Sequence, residues 1–233
     1  MVCVPLRHVR IAALAALVCA SAPALAETPR DMLIHAAFSE HSVPAALARI
    51  DSAQTLAAGT LRRVPGDKEA ALVAAMAFGY RAKLTGSRTG AIAARRQFEQ
   101  LVAQDPRDPE RQLALGAWHT GAIFKLGRLM ARAVLGAQKG EALTAIDRAV
   151  ALSAGRASVT GLAALLRLEL DPADAKGRAL AETTARLNAS TPLDQIMKRA
   201  AVAVLVPVHA GDTDATGKLA ARLLPFGALD GAN

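Results

Sequence analysis

The chain has 233 residues, 28 of them basic and 20 acidic, for a formal charge of +8, and only 3% are aromatic. So few rings offer no stacking platform for single-stranded nucleic acid, and the cationic excess favours acidic protein surfaces or phospholipid head groups instead. Alanine and leucine dominate and β-branched runs are rare, which predicts an all-α fold.

Residues 1–26 read as a secretory leader: Arg7 and Arg10 form a basic start, Ile11 to Ala20 an apolar stretch, and Ala24-Leu25-Ala26 a small-x-small cleavage site. The apolar run is too short to span a bilayer. Cys19 is preceded by Val18 rather than a small residue, which argues against a lipoprotein anchor. The expectation is export to the periplasm with cleavage after Ala26, leaving 207 residues in which 26 basic side chains face 20 acidic ones. Both cysteines, Cys3 and Cys19, leave with the leader, so disulfides, thiol catalysis and cysteine-ligated metals are excluded together.

Glu27 to Val64 predict one or two helices, the second opened by Pro44. Pro65-Gly66-Asp67 is a turn with an N-cap, followed by a helix from Lys68 to about Leu84. Gly86 to Gly90 reads as a loop and Ala91 to Gln104 as the partner helix. Asp108-Pro109-Glu110 opens the next helix, whose partner runs from about Glu141 to Leu152. Two further hairpins follow, Ser158 to Leu170 with Ala173 to Asn188, and Leu193 to Ala210 with Thr213 to Leu224. Ala200 to Val208 has the composition of a strand, but Met197, Lys198 and Arg199 lead into it without a turn, so it reads as a buried helix. The chain thus divides into a leader (1–26), an N-terminal helical extension (27–64) and a helical-repeat domain (65–229).

Within that domain one stripe recurs. Ala94, Phe98 and Leu101, then Ala142, Ile146 and Ala149, place a small, a bulky and an apolar residue on one helix face. Leu115-Gly116 lies between them, and Asp105-Pro106 ends the first stripe. The arrangement resembles a tetratricopeptide (TPR) unit, which implies antiparallel helical hairpins stacked as a short solenoid that holds other proteins. Leu113 to Trp118, Arg128, Arg132, Leu135-Gly136 and Lys139 to Ala149 narrow the likeness. From about Pro65 to Leu152 the chain resembles the repeat of the family named for regulators of microtubule dynamics, and related bacterial exported proteins. The microtubule role does not carry over to an exported chain. His119 stands where the TPR pattern has tyrosine, and Ala154 where it has proline.

Between Gly116 and Ala142 lie 25 residues, where a TPR unit has roughly eleven. The insertion, Lys125 to Gly140, reads as a helix over 123–139. On one helical wheel Lys125, Arg128, Arg132 and Lys139 share a narrow face, and Ile123, Leu126, Met130 and Val134 gather opposite. Such a stripe suits an anionic membrane surface or an acidic partner helix, and equally the solvated outside of a packed helix. Leu115, Trp118, His119 and Ala122 are expected to line or support a groove in the stack, although packing alone accounts for Trp118 and His119.

Catalytic readings fail on composition. His119 has no carboxylate or second histidine one turn away, and His35 and His41 are six apart, off any shared helix face. Gly211 to Lys218 has one residue too many for a phosphate loop, with Leu219 in place of the needed hydroxyl residue. Read as a calcium loop from Asp212, it has Leu223 where a bidentate glutamate belongs. Ser87 lacks the strand and histidine that a nucleophile requires. The expectation is a non-catalytic periplasmic scaffold without metal or cofactor, binding a protein or peptide in its helical groove. The alternative is a peripheral envelope protein docked on anionic lipid through 123–139.

Overall fold

A computed structural model describes residues 27–229. The leader assigned to residues 1–26, with Cys19 and the Ala26 cleavage point, lies outside them. Eleven helices and no strand form among the described residues: α1 Pro29–Phe38, α2 Val43–Arg63, α3 Lys68–Thr85, α4 Arg88–Gln104, α5 Pro109–Leu126, α6 Arg128–Leu135, α7 Lys139–Leu152, α8 Ala157–Leu170, α9 Ala175–Arg186, α10 Pro192–His209 and α11 Thr213–Leu223. Short polar side chains start most of them. Thr28, Ser42, Asp67, Ser87, Asp108, Asp174, Thr191 and Asp212 each accept a backbone N–H of the following first turn.

Two local expectations change. Gly86 closes α3 in the left-handed region at φ 66°, and Ser87 caps α4 at once, so the loop expected over Gly86 to Gly90 shrinks to two residues. The insertion is not one helix. Gly127 (φ 73°, ψ 157°) breaks the chain after α5, and Gly136 (φ 73°) stops α6, conformations that an L side chain resists. Lys125, Arg128 with Arg132, and Lys139 therefore sit on α5, α6 and α7 respectively, and a single wheel through all four does not apply.

Helices pack as hairpins, α3 on α4, α8 on α9, α10 on α11 and, across α6, α5 on α7, and α3 meets α5, α5 meets α8 and α8 meets α10. Glycines mark the tightest approaches. A Cβ on Gly116 would stand 2.8 Å from Cγ1 of Ile146 and 3.2 Å from the Ala142 carbonyl oxygen of α7. One on Gly161 of α8 would stand 2.7 Å from Met197 Cβ and 3.1 Å from Thr184, and one on Gly79 of α3 would stand 3.3 Å from the Phe98 ring. Three hairpins thus bring helices together over a missing side chain.

The two ends of the described residues also meet. Phe226 and Leu229, just past α11, are buried in a cluster with Leu33, Ala37, Ile50, Ala53 and Val73 of α1, α2 and α3. Phe38 at the end of α1 packs against both this cluster and the one built by α8, α10 and α11. The 27–64 segment therefore shares its core with α3 and with the C-terminal residues.

Candidate binding surfaces

Leu115 and Trp118 point from α5 into the apolar cluster of Leu72, Ala75, Ala94, Phe98 and Leu101 on α3 and α4. The Trp118 indole donates to the Ala91 carbonyl at 3.0 Å, and the Arg95 guanidinium lies 5.8 Å from its ring centroid. His119, only 4% exposed, accepts the Gln138 N–H through Nδ1 at 3.3 Å. Burial, reinforced by Arg95, pulls its pKa down to about 4, so the imidazole is neutral and holds the start of α7 as an acceptor. Ala122 is half-buried one turn beyond Trp118. Leu115 and Trp118 thus help join α5 to α3 and α4, and His119 joins it to α7, while Leu115, Trp118 and Ala122 each keep part of their surface exposed.

Other parts of the chain pack beside α3, α5 and α8. Near their first turns, Arg30 of α1 bridges Glu69 of α3 and, at 2.7 Å, Glu110 of α5, while Glu110 also takes Arg156 at 2.8 Å, just ahead of α8. Glu69 foremost, by its hydrogen bond, raises the Arg30 pKa further above its already high value. Toward the last turn of α3 lies a C-terminal strap. The Phe226 N–H donates to the Ala37 carbonyl at 2.8 Å, its ring meets Tyr80 edge-on at 4.8 Å, and Lys83 Nζ donates to the Pro225 carbonyl at 3.0 Å. Phe226 holds φ at 67°, a strained value for a residue with a side chain, so its surroundings impose it. Beside the strap, the Lys83 ammonium is desolvated and its pKa lowered, and burial pushes the Glu169 carboxyl up to about 7 against the pull of Lys83. The only cue to this strap in the sequence is the Pro225-Phe226-Gly227 turn after the last helix.

The insertion makes a different surface. Phe124, Leu126, Leu129 and Met130 are 54%, 39%, 83% and 56% exposed, a cluster around the Gly127 break. Lys125, Arg128 and Arg132 are exposed among them and pair with no carboxylate among the described residues. Ala131 is fully buried, and Arg95 of α4 donates to the Leu135 carbonyl at 2.9 Å, so α6 is anchored on its inner side while its outer side stays bare. Lys139 is half-buried at the start of α7 and stands apart from this tip.

Two surface depressions, about 410 Å³ beside Arg81 and Ser87 and about 530 Å³ beside Lys198 and Val202, are lined by neither histidine nor carboxylate. Among the described residues no helix is long and apolar enough to cross a membrane, and no three potential metal ligands converge. No protein-family model, curated protein or solved structure matches the chain.

Proposed function

We propose that this is an exported, non-catalytic binding module: a short TPR-like stack of helical hairpins that docks on an anionic surface through the tip formed by the end of α5 and α6. The observation that carries the reading is the combination at one place of four exposed large apolar side chains with three unpaired cations. Soluble proteins rarely leave such a patch uncovered unless something binds there. The glycine-mediated hairpin contacts support the repeat architecture, as does the recurrence of the Ala94 and Ala142 stripes in the packed positions. Sedimentation of the protein with cell-envelope membranes tests the reading. Lys125, Arg128 and Arg132 all replaced by glutamine should abolish association, and unchanged association refutes the tip as the docking surface.

Binding of an extended peptide on the inner face is a second reading, favoured by the way the strap already occupies it. Phe226 fills an aromatic pocket between Tyr80 and Ala37, and its own N–H and the preceding carbonyl are both bonded, as a bound peptide's would be. A labelled peptide of residues 222–229 should bind a Phe226→Ala variant and not the wild type. Equal binding to both removes this reading.

A further inference from the structure

Resting on the docking reading above, we infer that the anionic surface is a phospholipid bilayer, into whose head-group layer the α5–α6 tip inserts Leu129 and Met130. From Gly121 to Ala137 every side chain is aliphatic, phenyl, glycine or cationic, without one hydroxyl, amide or carboxylate. No acidic residue occurs anywhere between Glu110 and Glu141. A protein interface needs hydrogen-bonding groups around its apolar centre, and its rim carries both signs of charge. This tip has donors of one charge only and no side-chain acceptor, and cations beside bare apolar residues are the ingredients of a helix lying in a membrane interface.

The geometry places each ingredient at its proper depth. Ala131 is buried and Leu135 is tied to Arg95, so Leu129 and Met130 project from the opposite side of α6. Phe124 and Leu126 flank them from the end of α5. Arg128 and Arg132, one turn apart, share an edge of α6, where their long stems can lie along acyl chains while the guanidinium groups reach phosphates. α6 also begins without a side-chain cap, and Arg128 occupies its first turn, where the helix dipole opposes a cation. A lipid phosphate beside Gly127 would satisfy the free N–H groups and the arginine together. The C-terminal side of the tip is pinned twice, by Arg95 at Leu135 and by His119 at Gln138, so the apolar side chains of α6 are presented from a fixed helix.

Co-sedimentation of the exported form with protein-free vesicles tests this. Vesicles containing phosphatidylglycerol in phosphatidylcholine should bind the protein, pure phosphatidylcholine should not, and added salt should weaken binding. Lys125, Arg128 and Arg132 replaced together by glutamine should lower partitioning by about a hundredfold. Leu129→Ser with Met130→Ser, which leaves every charge in place, should lower it by about tenfold or more. All these side chains are exposed, so both variants should melt as the wild type does. Wild-type partitioning by the serine variant overturns insertion. Binding to native envelope membranes through the tip, without binding to any protein-free vesicle, overturns the lipid and makes the partner a protein while leaving the docking reading intact.

Discussion

Two glycines on the same helix should respond to alanine with opposite signs. Gly116 and Gly121 both lie within α5, and in a free helix alanine would stabilise each by about 1 kcal/mol. At Gly121 no atom lies within 4 Å of the added methyl, so that gain is realised. At Gly116 the methyl would stand 2.8 Å from Ile146 Cγ1 and 3.2 Å from two backbone atoms of α7, the Ala142 oxygen and the Ile146 nitrogen. A side chain can rotate aside but a helix backbone cannot, so α5 and α7 must separate. Overpacking of this kind costs about 2 kcal/mol, which leaves a net loss of about 1 kcal/mol after the propensity gain is subtracted. Gly116→Leu should reach about 3 kcal/mol. For a domain of this size each kcal/mol moves Tm by about 2–4 °C, so the two alanine variants should straddle the wild type in thermal denaturation followed by circular dichroism. A Gly116→Ala variant that melts at or above the wild type refutes the close approach of the two helices.

Stability should fall with acid through His119. Its folded-state pKa, about 4, lies below the ordinary 6.5, so the neutral ring is favoured by folding; the contribution is complete above about pH 6.5 and is lost as pH falls toward 4. The loss is on the order of 3 kcal/mol, and chemical denaturation of a His119→Gln variant should show a flatter acid limb. Glu169 acts in the other direction: its raised pKa of about 7 makes the protonated form the favoured one, so its contribution fades as pH rises through neutrality, and Glu169→Gln should retain stability at pH 8 relative to the wild type. Phe226→Ala should cost about 3 kcal/mol and increase amide exchange in α1, against which the lost ring packs; unchanged protection in α1 counts against the strap as a clamp. The intact mass of the exported protein should correspond to a chain beginning at Glu27, and a retained leader or a lipid adduct on Cys19 refutes the assigned processing.

Helix positions were legible because the caps are local. Asp67, Asp108 and Asp212 each satisfy an N–H two or three residues away, so sequence neighbours alone reveal them. The buried stripe Ala94, Phe98 and Leu101 was equally plain, since 3.6-residue periodicity reports one-sided burial. Gly161 was not recognised as the counterpart of Gly116, because the residues around it match the repeat pattern poorly and only the contact with Met197 reveals its role. The insertion misled for a different reason. Periodicity over 123–139 is blind to backbone conformation, and Gly127 and Gly136 in the left-handed half of φ space split the wheel into separate pieces. The wheel sets Leu126 and Met130 opposite the cations, whereas in the structure both are exposed beside them. The packing of α1 and Phe226 on α3 depends on contacts such as Lys83 to Pro225, 142 positions apart, which no local pattern encodes.

Joining first helix to last changes how the molecule comes apart. A linear array of hairpins frays from either end, because each unit is held by its immediate neighbours alone, and partial melting leaves a shorter array intact. Here Phe226 and Leu229 sit among residues of α1, α2 and α3, so neither end of the described residues is a free edge from which unzipping can start. Opening the array first demands rupture of a contact between opposite ends of the sequence, and re-forming it demands closure of a loop nearly as long as the chain. Folding should accordingly be slower than the local helical contacts alone would give, and unfolding all-or-none rather than stepwise. The same juxtaposition makes a circularly permuted chain, cut at an exposed turn such as Pro65-Gly66 and linked from Leu229 to Glu27, a feasible route to the same structure.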